Sequence, residues 1–201
     1  MGKLADGSGQ DEKCKVAAEV QKQLPKETKV QRRAREKIIY DKPLEEQYTT
    51  IYTNNITKAT VKVHQLADTL AEDYKDVLAA AIAFAKDGNS SYFLPIIDKN
   101  AVAVRKKVFV NYENKTKNPD LLVEGIYMDV KRPKKIENIV NNAIKASNQN
   151  AEAIIMDTEI AITENLARNK GKEILKNNEY EQKSVHFIIN SNVITVNETG
   201  E

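Results

Sequence analysis

The sequence predicts an α/β (α+β) fold in which a central mixed β-sheet is flanked by helices. Three observations point there. Apolar residues recur at three- and four-residue steps from Val63 to Ala85, the period of an amphipathic helix. Apolar residues alternate on both sides of Glu124-Gly125, the pattern of a hairpin. Beyond that turn, helical patterns over residues 134–149 and 158–176 are interleaved with short apolar runs at 151–156 and 185–189.

The elements follow in order. Residues 1 to about 37 are polar, and Val16, Ala17, Ala18 and Val20 support at most one short helix, which Pro25 ends. Gln31 to Lys37 is a basic run, read as a solvated helix face or linker, or else as a nucleic-acid arm. Residues 40–60 give mixed signals, so residues 1–60 are assigned to a polar N-terminal segment or linker and 61–201 to the α/β domain. The long helix collects Val63, Leu66, Leu70, Val77, Leu78, Ala81 and Ala85 and closes at Asp87-Gly88-Asn89. Ser91 to Ile97 reads as a strand, with Pro95 placing it at an edge or a strand end. Residues 100–111 read as strands or as a hairpin around Arg105-Lys106-Lys107. After the hairpin at 118–133 comes a helix with Ile136, Ile139, Val140, Ala143 and Ile144 on one side. Asp157-Thr158 reads as the step from a strand into the next helix, and Val193 to Val196 as a continuation of the last strand.

Composition narrows the chemistry. The chain has 201 residues, 41% hydrophobic and 30% charged, which is apolar enough for a core. A net charge of +2 argues against a general nucleic-acid coat but leaves room for a local basic groove. Trp is absent and aromatics make up 6%, so a base-stacking platform has little to work with. Cys14 is the only cysteine, and His64 and His186 are the only histidines. Any metal would therefore be held by oxygen ligands. No stretch reaches membrane-spanning length, so no membrane partner is expected. There is no Walker loop, GxGxxG or Ser/His/Asp grouping.

The hairpin carries the sharpest signal. A two-residue turn at Glu124-Gly125 pairs Val123 with Ile126 and, counted outward, Asp120 with Asp129. Facing carboxylates repel, so a sheet does not select that pair for stability. Lys131 projects from the same face as Asp129, while Leu121, Val123, Ile126, Met128 and Val130 share the other. The bland account is a solvent face with an apolar back. A divalent cation between the acids would turn repulsion into attraction, stabilise charge on a scissile phosphate and activate a water. Lys131 would then neutralise developing negative charge. Arg132, Lys134 and Lys135 extend the positive charge and are candidates for gripping a phosphate backbone. Lys134 and Lys135 also fall at a helix N-terminus, where the dipole disfavours cations.

Pro119-Asp120 followed by Asp129-Val130-Lys131 resembles the PD-(D/E)xK signature of restriction-endonuclease-like phosphodiesterases. That resemblance implies Asp120, Asp129 and Lys131 as catalytic residues, with Mg²⁺ or Mn²⁺ on Asp120 and Asp129. It also implies a glutamate from the first helix, for which Glu72 is the candidate and Asp76 a weaker one. A second resemblance covers more of the chain. Ala83 to Gly88, Leu94-Pro95 and Lys117 to Gly125 look like the C-terminal nuclease domains of bacterial contact-dependent inhibition toxins. Many of these are RNases that cut tRNA, and some have a barnase/EndoU/RelE-like fold and need no metal. The resemblance implies an RNA substrate, a cognate immunity protein, and action in the cytoplasm of a target bacterium as part of a secreted or cell-surface parent. A metal-dependent DNA endonuclease and a non-catalytic binding module, its acids salt-bridged to Lys115, Lys117, Lys131 or Arg132, are the alternatives. His64 reads as a surface or satisfied core histidine, and His186 points away from the core residues that flank it. Asn148-Gln149-Asn150 reads as a helix cap and turn, with Asn148 or Gln149 available to touch substrate.

Overall fold

The computed structural model describes residues 28–198. The predictions for Cys14 and for a helix near Val16 to Val20 lie outside these residues. Helix α1 (Lys29–Asp41) opens with a capping box. Gln31 N–H donates to Thr28 Oγ1 at 3.3 Å and Thr28 N–H to Gln31 Oε1 at 2.9 Å. The basic run lies on this helix, and most of its side chains are exposed.

Eight strands form one mixed sheet: β1 (Tyr48–Thr53), β2 (Thr60–His64), β3 (Ser91–Phe93), β4 (Leu121–Val123), β5 (Ile126–Lys131), β6 (Glu152–Met156), β7 (Ser184–Ile189) and β8 (Asn192–Asn197). Their spatial order is their chain order. The pairs β2–β3, β5–β6 and β6–β7 are parallel and the others antiparallel. Helices α2 (Tyr74–Lys86), α3 (Val102–Val108), α4 (Ile139–Ser147) and α5 (Glu164–Leu175) cover the sheet. The α+β class with a mixed sheet is therefore the one the sequence predicts. Strand β1 lies ahead of residue 60 and pairs within this sheet.

Alternation along the strands sends apolar side chains to both faces. On one, α2 packs Val77, Ala81 and Phe84 against Val61, Phe93, Leu121, Met128, Ile154 and Ile188. On the other, α4 and α5 bring Ile139, Ala143, Ala167 and Ile174 onto Ala153, Ile155, Val185, Phe187 and Val196. Beside this second core, Val108 and Phe109 gather Leu94, Ile97, Tyr48, Tyr92, Leu122 and Tyr127. Each fully buried Val, Leu, Ile, Phe or Met among them contributes roughly 1.5–3 kcal/mol.

Several expectations need correction. The long helix begins at Tyr74, not near Val63, because Thr60–His64 is strand β2. Residues 100–111 hold helix α3 rather than strands. The helix expected from 134 is a 3₁₀ turn, Ile136–Asn138, followed by α4, so Lys134 and Lys135 precede the turn and the dipole argument does not reach them. The helix expected from Thr158 starts at Glu164, capped by Thr163, whose Oγ1 accepts from Leu166 N–H at 3.3 Å. The run closing the sheet is two strands joined at Asn190-Ser191, both with positive φ.

Candidate active site

The hairpin forms as its turn residues dictate. Glu124 and Gly125 both have positive φ (46° and 86°), the backbone of a two-residue hairpin loop, and Val123 pairs with Ile126. The ladder runs to Leu121 with Met128. There it slips, because Asp120 N–H also donates to the Met128 carbonyl at 3.0 Å. The regular Asp120–Asp129 pairing of the sequence reading is replaced by this irregular end, yet the two carboxylates still meet. The face expected to be solvent is covered too: Leu122 and Tyr127 pack with Phe109 and Tyr112. Ile126, expected in the core, is exposed at the turn.

Asp129 is buried, and its Oδ2 receives both the Lys131 ammonium and Gln149 Nε2, the latter at 2.7 Å. Gln149 follows α4, and its carbonyl accepts the Tyr112 hydroxyl. Asp120 Oδ2 accepts the Val130 N–H at 2.7 Å. Burial, and then the charge of Asp129, hold the Asp120 carboxyl well above the usual carboxylate range; the Val130 N–H and Lys131 pull the other way. Burial, and then Asp129, likewise raise the Tyr112 phenol. The result is a protonatable carboxyl beside an ion-paired one.

Asp120 opens onto a cleft of about 300 Å³ at the end of β3. Its walls are Asp68, Ala71, Asp73 and Val77 on one side, Leu94 and Ile96 on another, and Thr116 to Pro119 with Gln149 on a third. Glu72 does not join this group. It is exposed in the turn before α2 and lines none of the cleft, to which the same segment contributes Asp68 and Asp73. Asp76 is bound to Arg132, Oδ2 to Nη1 at 2.9 Å. Arg132 is thus committed to an acid, and Lys134 and Lys135 are exposed beyond β5. The lysine that lines the cleft is Lys117.

The histidines lie elsewhere. His64 is buried under Tyr40 and Tyr48. Its Nδ1 accepts Leu66 N–H at 3.1 Å, so Nε2 carries the proton and donates to Gln47 Oε1 at 3.0 Å. His186 is buried against Phe84, with Nε2 at 2.9 Å from Glu152 Oε2 and Nδ1 at 3.0 Å from Thr195 Oγ1. Two contributors gave no motif in the sequence. Tyr112 lies in a stretch without clear period, and the sequence reading puts Arg105 in strands or at the tip of a hairpin. A helical spacing of Ala101, Val104, Arg105 and Val108 was the available signal.

Residues 117–194 match the family described as the contact-dependent growth inhibition CdiA C-terminal domain. The match spans 78 of the 201 residues. The CdiA C-terminal domain match begins at Lys117 and takes in Asp120, Asp129, Lys131 and Gln149, leaving Glu72 and Arg105 outside. Among solved structures, the chain is similar to the CdiA-CT/CdiI toxin and immunity complex from Burkholderia pseudomallei. The identity is 16%, over 66% of this chain and 91% of that one, with a TM-score of 0.45. A search of curated proteins gives no match. No helix among the described residues is long and apolar enough to cross a membrane.

Proposed function

We propose that the chain is a nuclease toxin domain that cleaves RNA, with tRNA as the substrate class. It acts in the cytoplasm of a target bacterium after delivery from a secreted or cell-surface parent, and a cognate immunity protein restrains it in the producer. One observation carries the reading: Asp120, Asp129 and Lys131 converge with Gln149 beside a cleft. A cleft of this size suits one splayed nucleotide better than a duplex, and loops of RNA present such nucleotides.

The geometry supports a role for each. Asp120, whose carboxyl burial and then Asp129 raise above the usual range, is the proton donor for the leaving oxygen in a metal-free reaction. Lys131 offers its ammonium to the negative charge that builds on the phosphate. Asp129 anchors Lys131, and Gln149 fixes Asp129 in turn. Two carboxylates are the share that a protein commonly gives Mg²⁺, or the similarly oxygen-loving Mn²⁺, when substrate phosphate and water complete the shell. Asp120 and Asp129 fit that donor set and would hold such an ion, although no group of three His, Cys, Asp or Glu able to do so exists among the described residues. When bound, the ion would supply Lewis-acid stabilisation and an activated water.

The second reading, a Mg²⁺-dependent DNA endonuclease of the PD-(D/E)xK type, draws on the order of elements. A helix and strand, α2 and β3, precede the hairpin, and α4 and β6 follow it. Incubation of the protein with total tRNA and with plasmid DNA, each with and without EDTA, separates the readings. We expect tRNA cleavage that Asp129→Ala abolishes. Cleavage of DNA alone would support the endonuclease. Cleavage of neither, together with no effect of Asp129→Ala on bacterial growth, would leave a binding module in which the Asp129–Lys131 pair is structural.

A further inference from the structure

Arg105 is buried, and every hydrogen bond it makes goes to a neutral oxygen. Its Nη1 donates to the Ile97 carbonyl at 3.0 Å and to Asn118 Oδ1 at 2.6 Å. Its Nη2 donates to the Asn114 carbonyl at 3.3 Å and to the Lys117 carbonyl. The guanidinium rests over the Phe109 ring, 5.0 Å from its centroid. A buried charge is costly, and an apolar side chain would fill the same space more cheaply. What only arginine supplies is a rigid fork of donors able to reach two chain segments at once. Those segments are the two walls of the cleft on either side of Asp120, the one through Ile96 and the one through Thr116 to Asn118. Asn118 Oδ1 closes the clasp by also accepting the Ile97 N–H at 3.3 Å. Within the second wall, Asn114 Oδ1 accepts the N–H groups of Thr116 and Lys117 at 3.0 and 2.9 Å. The loop is thus a preformed unit hung on one guanidinium. It presents Lys117, exposed, in a cleft whose other charged lining residues are Asp68, Asp73 and Asp120. A polyanion could approach acids of that kind only against a fixed cation.

We propose that Arg105 is a positioning residue that ties Ile97 to Asn114–Asn118 and so fixes Lys117 as the phosphate-binding group of the cleft. This rests on the nuclease reading for its effect on turnover, whereas the tie between the two walls does not. Three variants test it: Arg105→Lys, which keeps the charge but loses the fork; Asn118→Ala, which opens the clasp while sparing Arg105; and Lys117→Ala. Each is assayed on tRNA with kcat and KM resolved. Lys117→Ala is expected to raise KM roughly tenfold, the loss of one charge-assisted hydrogen bond. It should also lower the salt dependence of binding by about one charge. Arg105→Lys should raise KM by a similar factor at unchanged kcat. Combined with Lys117→Ala it should add little more, because both remove the same contact. Trypsin should cut after Lys115 and Lys117 faster in Arg105→Lys and Asn118→Ala than in the parent, at matched melting temperature. Additive KM effects, or a Lys117→Ala variant with parental KM, would overturn the assignment of Lys117. Parental proteolysis and KM in Arg105→Lys and Asn118→Ala would overturn the clamp. Faster proteolysis in a protein that cleaves no nucleic acid would uphold the tie between the walls and overturn the nuclease reading alone.

Discussion

Asp120 sits where stability and chemistry pull apart. Its carboxyl is raised well above the ordinary range by burial and by Asp129. In the unfolded chain it ionises near the ordinary carboxylate value of about 3.9. A raised acid contributes stability that is present below that value and lost as pH climbs through its folded-state value. At neutral pH the folded protein therefore bears the cost of keeping a proton on Asp120 or of burying its charge beside Asp129. Asp120→Asn removes the titration while leaving an oxygen to accept the Val130 N–H. We expect the variant to be inactive yet more stable than the parent at pH 8, with the gain shrinking towards pH 4. Urea unfolding at the two pH values measures it. An Asn variant of equal or lower stability at pH 8 would show that the carboxyl carries no such burden. The convergence of Asp120, Asp129 and Lys131 was legible because a two-residue turn fixes a local register. Glu72 was misjudged because its place depended on where a helix begins, and an acid just ahead of that start need not share the helix's face.

At the scale of elements, α5 lies so close to β8 that a Cβ on Gly171 would stand 2.6 Å from Val196 Cγ2. Val196 is buried and backed by the second core, so it has little room to retreat. Alanine ordinarily improves a helix interior by roughly 1 kcal/mol over glycine. Overpacking costs about 1–3 kcal/mol. The clash should win, and Gly171→Ala should destabilise the protein by on the order of 1 kcal/mol in urea unfolding. Val196→Ala added to it should cost less than the sum of the two single changes, since the second relieves the first. The helices and strands that periodicity misreads have two physical causes. Thr60 to His64 alternates in burial as a strand does, but Val63 and Leu66 also continue the phase of the Ala-rich helix that starts ten residues later. In α3 the valines suggested strands, whereas the period that matters runs through Arg105, a charged side chain that no hydrophobic pattern counts. The hydrogen bonds of Arg105 reach Ile97, Asn114, Lys117 and Asn118, outside the helix, and a count of apolar residues does not register them.

For the whole molecule, His64 couples acidity to folding. It closes β2 beneath Tyr40 and Tyr48, joining the end of α1 to the sheet. Burial pushes its imidazole down to about 4. Unfolded, it takes up a proton near the ordinary value of about 6.5. A depressed histidine favours the folded state fully above that value, and the contribution falls away as pH drops from about 6.5 towards about 4. The loss is on the order of 3 kcal/mol at the lower end. Unfolding free energies measured between pH 7 and pH 4 should show this slope, and His64→Gln should flatten it. An unchanged slope in that variant would assign the acid sensitivity to other groups.

The spatial order of the strands has a mechanical consequence. Each of the six inner strands lies between its predecessor and its successor in the chain, so none is inserted between strands far from it in sequence. In β1 and β2 the free end of the hairpin is Tyr48 against His64, and tension on the chain ahead of Tyr48 reaches that rung first. The hydrogen bonds of this hairpin then break one at a time, as a zipper opens, rather than together in shear. Once β1 has left, β2 is the new edge, and the same holds for each strand in turn. Strands can therefore leave from this edge in chain order, and none has to be drawn out from between two others.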